Sequence, residues 1–151
     1  HAVYTEPMSQ GTRCRQLALY TIFDSPINML CDAPTNYMKE EECTKFIASI
    51  PTVWDQTLPI SGKVGEHIVM ARQKGGIWYV GGLTDWNARD VEVDLSFLGK
   101  GEFNAEIFKD GDNANTDATS YKRELITISD SRQLSIKMKN GGGFAARIYK
   151  K

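Results

Sequence analysis

The feature that most constrains this chain is a change of hydrophobic period at Pro51. Before it, apolar residues recur at helical spacing or run together; after it, they alternate with polar ones almost to the C-terminus. Two kinds of structure must therefore meet near residue 51. From Thr12 to Phe23 the run Gln16-Leu17-Ala18-Leu19-Tyr20-Thr21-Ile22-Phe23 predicts a mostly buried helix, with Thr12 or Ser9 as its N-cap. Ser25-Pro26 breaks that helix, and Ile27-Asn28-Met29-Leu30-Cys31 reads as a short strand buried on both faces, ended by Asp32-Ala33-Pro34. A second helix is expected over Lys39 to Ile50. Its first turn holds Glu40, Glu41 and Glu42, where the helix dipole favours anions, and Cys43, Phe46, Ile47 and Ile50 share one stripe.

Beyond Pro51, strands are expected over Glu66 to Gln73, Ile77 to Thr84, Arg89 to Phe97, Phe103 to Asp110, Tyr121 to Ser129, Gln133 to Lys139 and Phe144 to Lys150. Gly75-Gly76 makes a tight hairpin between the first two. Val91, Val93, Leu95 and Phe97 alternate with Glu92, Asp94 and Ser96, and Leu134, Ile136 and Met138 with Ser135 and Lys137, so these strands have one wet and one dry face. Val53 to Ile60 adds an edge strand or a linker, Pro59 fitting only an edge. Seven or eight such strands form an antiparallel two-sheet β-sandwich.

The halves differ in self-sufficiency. The sandwich can close its own core, whereas a helix, a doubly buried strand and a helix cannot, because a parallel strand needs neighbours on both sides and cover on both faces. A strand between two helices is what the last turn of a (β/α)8 barrel looks like when earlier turns are cut away. The fold is therefore read as mostly β, with residues 1–51 the end of such a barrel and 52–151 the sandwich. The chain starts at His1 rather than Met, as a processed, trimmed or excised segment would.

Composition narrows the functions. Eighteen basic residues stand against 19 acidic ones, spread along the chain, so no footprint for nucleic acid or an anionic membrane is present. No apolar run approaches the ~20 residues of a membrane span. Cys14, Cys31 and Cys43 lack metal-site spacing and read as three buried thiols.

Several motifs invite a chemical reading and also have a plainer one. Asp110-Gly111-Asp112-Asn113-Ala114-Asn115-Thr116-Asp117 looks like a calcium loop, but Ala114, Asn115 and Tyr121 stand where an EF-hand needs an oxygen ligand, glycine and a carboxylate; a turn between strands is the expectation. Gly141-Gly142-Gly143 joins two strand-like segments with no helix after it, so it is a hairpin loop rather than a phosphate cradle. Only His1 and His67 could serve a catalytic triad, and no GxSxG serine accompanies them. Trp78, Tyr79 and Trp86 could stack on sugar rings, although a tryptophan at a strand end more often packs in a core or interface. Asp32 follows the buried strand at its C-terminal end, where barrel enzymes place site residues; the alternative is a turn or cap aspartate ahead of Pro34.

Read in order, Pro7-Met8-Ser9-Gln10-Gly11-Thr12-Arg13, Gln16-Leu17-Ala18-Leu19-Tyr20, Ser25-Pro26 with Met29-Leu30 and Asp32, Pro51-Thr52-Val53-Trp54-Asp55, Lys63-Val64-Gly65-Glu66, Trp78-Tyr79-Val80-Gly81, Thr84-Asp85-Trp86, Asp94-Leu95-Ser96-Phe97-Leu98, Phe108-Lys109-Asp110-Gly111 and Gly141-Gly142-Gly143-Phe144-Ala145-Ala146-Arg147 resemble the C-terminal end of glycoside hydrolase family 97. These are bacterial α-glucosidases and α-galactosidases. The resemblance implies a parent enzyme with an N-terminal β-sandwich, a catalytic barrel and a C-terminal β-sandwich. Its catalytic carboxylates and the glutamates that bind its calcium would lie upstream, leaving no catalytic residue or metal ligand in this chain. The chain would be inactive alone, supporting the barrel and subunit contacts, with Asp32 on a wall of the sugar pocket. The remainder of the barrel, a possible second subunit and the parent's oligosaccharide substrate are the implied partners, and the periplasm or exterior the implied location. A carbohydrate-binding module using Trp78, Tyr79 or Trp86 is the alternative, and the parent's specificity, glucoside or galactoside, stays open.

Overall fold

A computed structural model describes residues 9–151; His1 and the Pro7-Met8 pair lie outside the described residues. Helices occupy Arg13–Ile22 (α1), Pro34–Lys39 (α2) and Glu41–Ser49 (α3). Strands follow at Gln56–Lys63 (β1), His67–Lys74 (β2), Ile77–Thr84 (β3), Arg89–Asp94 (β4), Phe103–Asp110 (β5), Tyr121–Thr127 (β6), Gln133–Met138 (β7) and Gly143–Lys150 (β8). All pair antiparallel, in a six-stranded sheet ordered β1-β2-β3-β8-β5-β6 and a two-stranded sheet β4-β7.

The sandwich is thus lopsided, and burial shows why. The small sheet covers one face of the large one, closing a core of Val69, Trp78, Val80, Val93, Ile107, Ile136, Phe144 and Ile148. The opposite face is covered by helices, where Cys14, Leu17, Cys43 and Phe46 pack on Phe108 and Ala145. β3 and β8, central and covered on both faces, accordingly read as nearly continuous buried runs, whereas β4 and β7 keep a strict wet and dry alternation. Small residues let α1 lie close: a Cβ at Gly81 would stand 3.0 Å from Ala18 O and 3.1 Å from Thr21 Cβ.

Most expected elements are present. Thr12 is the N-cap of α1, its side chain accepting from Arg15 N, and Gly75-Gly76 turns between β2 and β3 with both φ positive. Pro59 sits on edge strand β1, beside a register shift.

Four expectations need correction. Ile27-Asn28-Met29-Leu30-Cys31 forms no strand, because among the described residues neither flanking strands nor a second covering layer are present; Ile27 and Met29 are 76% and 79% exposed. The second helix starts at Glu41 and is preceded by α2, for which Pro34 supplies a preset first residue rather than a stop. The strand from Arg89 ends at Asp94, whose carboxylate accepts from Ser96 N at 2.8 Å and turns the chain into a short 3-10 helix, Ser96–Leu98. Phe97 still reaches the core, its ring 4.5 Å from that of Trp78. The reading of three buried thiols holds for Cys14 and Cys43 and is corrected at Cys31, which is exposed.

Candidate functional site

A buried polar joint lies where α1 meets the sheet. Asp110, at the end of β5, is only 5% exposed. Its Oδ1 accepts from Thr12 Oγ1 at 2.6 Å, and its Oδ2 accepts from Lys139 N at 2.8 Å and Gly143 N at 3.0 Å. Burial pushes this carboxyl above the ordinary aspartate range, while the three donors pull it back. The joint is tight. A Cβ on Gly142 would collide with Asp110 Oδ2, and one on Gly141, at φ +62°, would meet the Trp86 ring at 2.5 Å. Thr12 N donates to Gly141 O at 3.1 Å and Arg13 N to Ala118 O at 2.7 Å, so the hairpin loop and the β5–β6 loop both seat the start of α1.

Further contacts fasten the other helical pieces. The Tyr79 hydroxyl donates to Ser49 O at 2.6 Å, holding the end of α3, and the Phe46 and Phe108 rings lie 4.8 Å apart. Burial and the Glu42 carboxylate, which accepts from the Tyr121 hydroxyl at 2.9 Å, raise the pKa of that phenol. Burial likewise pushes the Cys14 and Cys43 thiols up.

The sequence candidates separate on this frame. Asp32 is exposed beside a cleft of about 530 Å³ that Thr12, Arg13, Tyr20 and Tyr37 also line. Its Oδ1 accepts from Ala33 N at 2.6 Å and Asn36 Nδ2 at 2.9 Å, and these bonds, Asn36 first, lower its pKa. It therefore braces the entry to α2 while facing that cleft. Trp78 and Tyr79 are 6% and 3% exposed, one inside the sandwich and the other under the helices, so neither offers a face to a sugar; this corrects two of the three stacking candidates. Trp86 is 62% exposed. His67 lies within β2 across from Lys63 and Thr84, and its Nδ1 is buried with no partner among the described residues. Asp110 itself was legible as the last residue of a strand and the first of a polar loop, and nothing local marks it as the hub of a joint with Thr12, 98 residues away.

Among the described residues no three of His, Cys, Asp and Glu stand together as a group that could hold a metal ion. No helix of the described residues is long and apolar enough to cross a membrane.

Fold and joint together define a β-sandwich built to hold helices on its outer face. The family model described as "Glycosyl-hydrolase 97 C-terminal, oligomerisation" matches residues 53–149. A retaining alpha-galactosidase of Bacteroides thetaiotaomicron is 59% identical over 96% of this chain and 22% of its own length, and a probable retaining alpha-galactosidase of Streptomyces bingchenggensis is 31% identical over 87% of the chain and 20% of its own length. A glycoside hydrolase family 97 enzyme of Pseudoalteromonas sp. strain K8, solved in complex with panose, superposes with a TM-score of 0.91 at 37% identity, over 96% of this chain and 23% of that one. The chain belongs to glycoside hydrolase family 97, and it spans about a fifth of the length of the curated relatives it matches.

Proposed function

We propose that this chain is the C-terminal part of a bacterial retaining α-galactosidase, its sandwich bracing a catalytic barrel and contributing to subunit contacts. The 59% identity to a retaining alpha-galactosidase over nearly the whole chain carries this reading. The description of the matched family region as an oligomerisation domain supports the subunit contacts. Asp32 then forms part of a wall of the sugar pocket, the catalytic carboxylates and calcium ligands lie on upstream residues, and the enzyme is exported. Inversion and retention differ in how two carboxyl groups are spaced across the substrate, and in this reading that pair lies in the barrel.

The test is turnover of nitrophenyl α-galactoside and α-glucoside by protein containing the upstream chain. Preference for the galactoside, with no turnover by the 151-residue chain alone, is the expected result. Preference for the glucoside would replace the substrate assignment. Turnover by the chain alone, abolished in Asp32→Asn, would overturn the support role.

A further inference from the structure

The large sheet ends in two strands of opposite build. At one edge β1 carries Pro59, which has no N–H to offer, beside a register shift between Pro59 and Ser61, and a strand so interrupted resists further pairing. At the other edge β6 runs in unbroken register with β5 from Tyr121 to Thr127, without proline or bulge. Its outer side pairs with no strand of the described residues. Ser120 O accepts from Gly111 N at 3.1 Å and Ile128 N donates to Phe103 O at 2.8 Å, so the even-numbered residues turn their backbone groups toward β5. Alternation then turns the N–H and C=O of Tyr121, Arg123, Leu125 and Thr127 outward.

The side chains of this edge match a copy of themselves. Phe108 faces the helices and Ile107 the sandwich core, so their register partners Arg123 and Glu124 lie on opposite faces, with Tyr121 and Leu125 on the face of Arg123 and Lys122 on that of Glu124. Leu125 is 64% exposed, an apolar side chain left largely in solvent. A two-fold axis through Arg123, perpendicular to the sheet, sets β6 antiparallel to its own copy with the faces kept. It places Tyr121 opposite Leu125 and Lys122 opposite Glu124, each pair twice over. The odd-numbered residues then exchange backbone hydrogen bonds, and the opposite charges fall at non-hydrogen-bonded positions, where side chains stand closer. Arg123 meets its own copy on the axis, but each guanidinium already holds the carboxylates of Glu106 at 2.8 Å and Glu42 at 3.4 Å. An axis at Glu124 would set two glutamates face to face, and one at Leu125 would set Glu124 against Ile126. Charges that repel an arbitrary strand therefore select one register with a second copy.

We propose that β6 is the subunit interface of this sandwich: a second copy of the chain adds its own β6 antiparallel about Arg123, fusing the two large sheets into one, with Tyr121 covering Leu125 and Lys122 pairing with Glu124 across the axis. This rests on the reading that the sandwich contributes to subunit contacts, which the description of the matched family region supports. Of the two edges of the large sheet, β1 is thus closed by its proline and its register shift, and β6 is left open for pairing.

Sedimentation of the protein containing the upstream chain tests it, with amide exchange as the local readout. The native protein should be a dimer. Glu124→Lys sets a lysine against Lys122 twice and should weaken the dimer about tenfold or more. Adding Lys122→Glu to that variant should restore the affinity to within about threefold of native. If the substitutions acted only by breaking the ion pairs within each copy, Lys109 with Glu124 and Lys122 with Asp112, the double variant would be worse than the single one. Leu125→Pro removes an outward N–H and spares the β5 ladder, and should weaken the dimer about 100-fold or more. The amides of Arg123 and Leu125 should be protected in the dimer and lose that protection on dilution, while those of Lys122 and Glu124 stay protected throughout. A dimer that survives Leu125→Pro, or that the double variant fails to restore, would overturn the β6 assignment and leave subunit contacts to another surface. A native protein that is monomeric at every concentration would overturn both. Protection of Arg123 and Leu125 in a monomer would give the edge to an upstream strand and overturn the pairing of copies. A dimer through β6 in a protein that hydrolyses no α-galactoside would sink the proposed activity and leave the interface intact.

Discussion

Thr12 and Asp110 meet across 98 residues, the threonine hydroxyl donating to the buried carboxylate at 2.6 Å. The same threonine oxygen accepts from Arg15 N, so one side chain caps α1 and ties it to β5. Asp110→Ala leaves two backbone N–H groups buried without acceptors and should cost about 3 kcal/mol. Asp110→Asn can still turn its oxygen toward Lys139 N and Gly143 N and should cost about 1–2 kcal/mol. Urea unfolding of both variants checks that order, and equal losses would contradict it.

The same carboxylate gives a pH signature. Its pKa is raised in the folded state, so its contribution is full below the unfolded value of about 4 and is lost as pH rises through the folded value. Asp32, Glu41, Asp55, Glu66, Asp85, Asp112 and Asp117 are shifted the other way and favour folding as pH rises. The stability margin of the native chain over Asp110→Asn should therefore narrow as pH rises from about 4 to neutrality. Urea midpoints of the pair at both ends of that range measure it.

Gly81 is needed for space rather than for turn geometry. A methyl group there meets a backbone oxygen of α1 at 3.0 Å, which has no rotamer with which to retreat. Gly81→Ala should cost about 1–3 kcal/mol, through a displaced α1 rather than a damaged sandwich core. Calorimetry gives the loss, and amide shifts confined to α1 and its neighbours give the location.

The tryptophans should part company. Trp78→Ala empties part of the core and should cost about 3–5 kcal/mol, whereas the exposed Trp86 should cost less than about 1 kcal/mol. Titration calorimetry with maltose and galactosides should show no saturable binding by this chain. Binding that Trp86→Ala removes would restore the carbohydrate-module reading.

By itself, the sequence determined what depends on neighbours along the chain. The strand ladder from His67, the Gly75-Gly76 hairpin, the Thr12 cap, the edge position of Pro59 and the mismatch between the first fifty residues and the rest are local patterns of period, cap and turn. Local signals failed where a neighbour in space held the decision. Ile27–Cys31 has the composition of a strand but lacks strands to pair with; Trp78 and Tyr79, adjacent in sequence, fall on opposite faces of a sheet covered on both sides; and Asp110 leaves its polar loop for a buried joint. Hydrophobic period encodes which face of an element is dry, but only tertiary packing decides what covers that face and which distant donors a buried carboxylate meets.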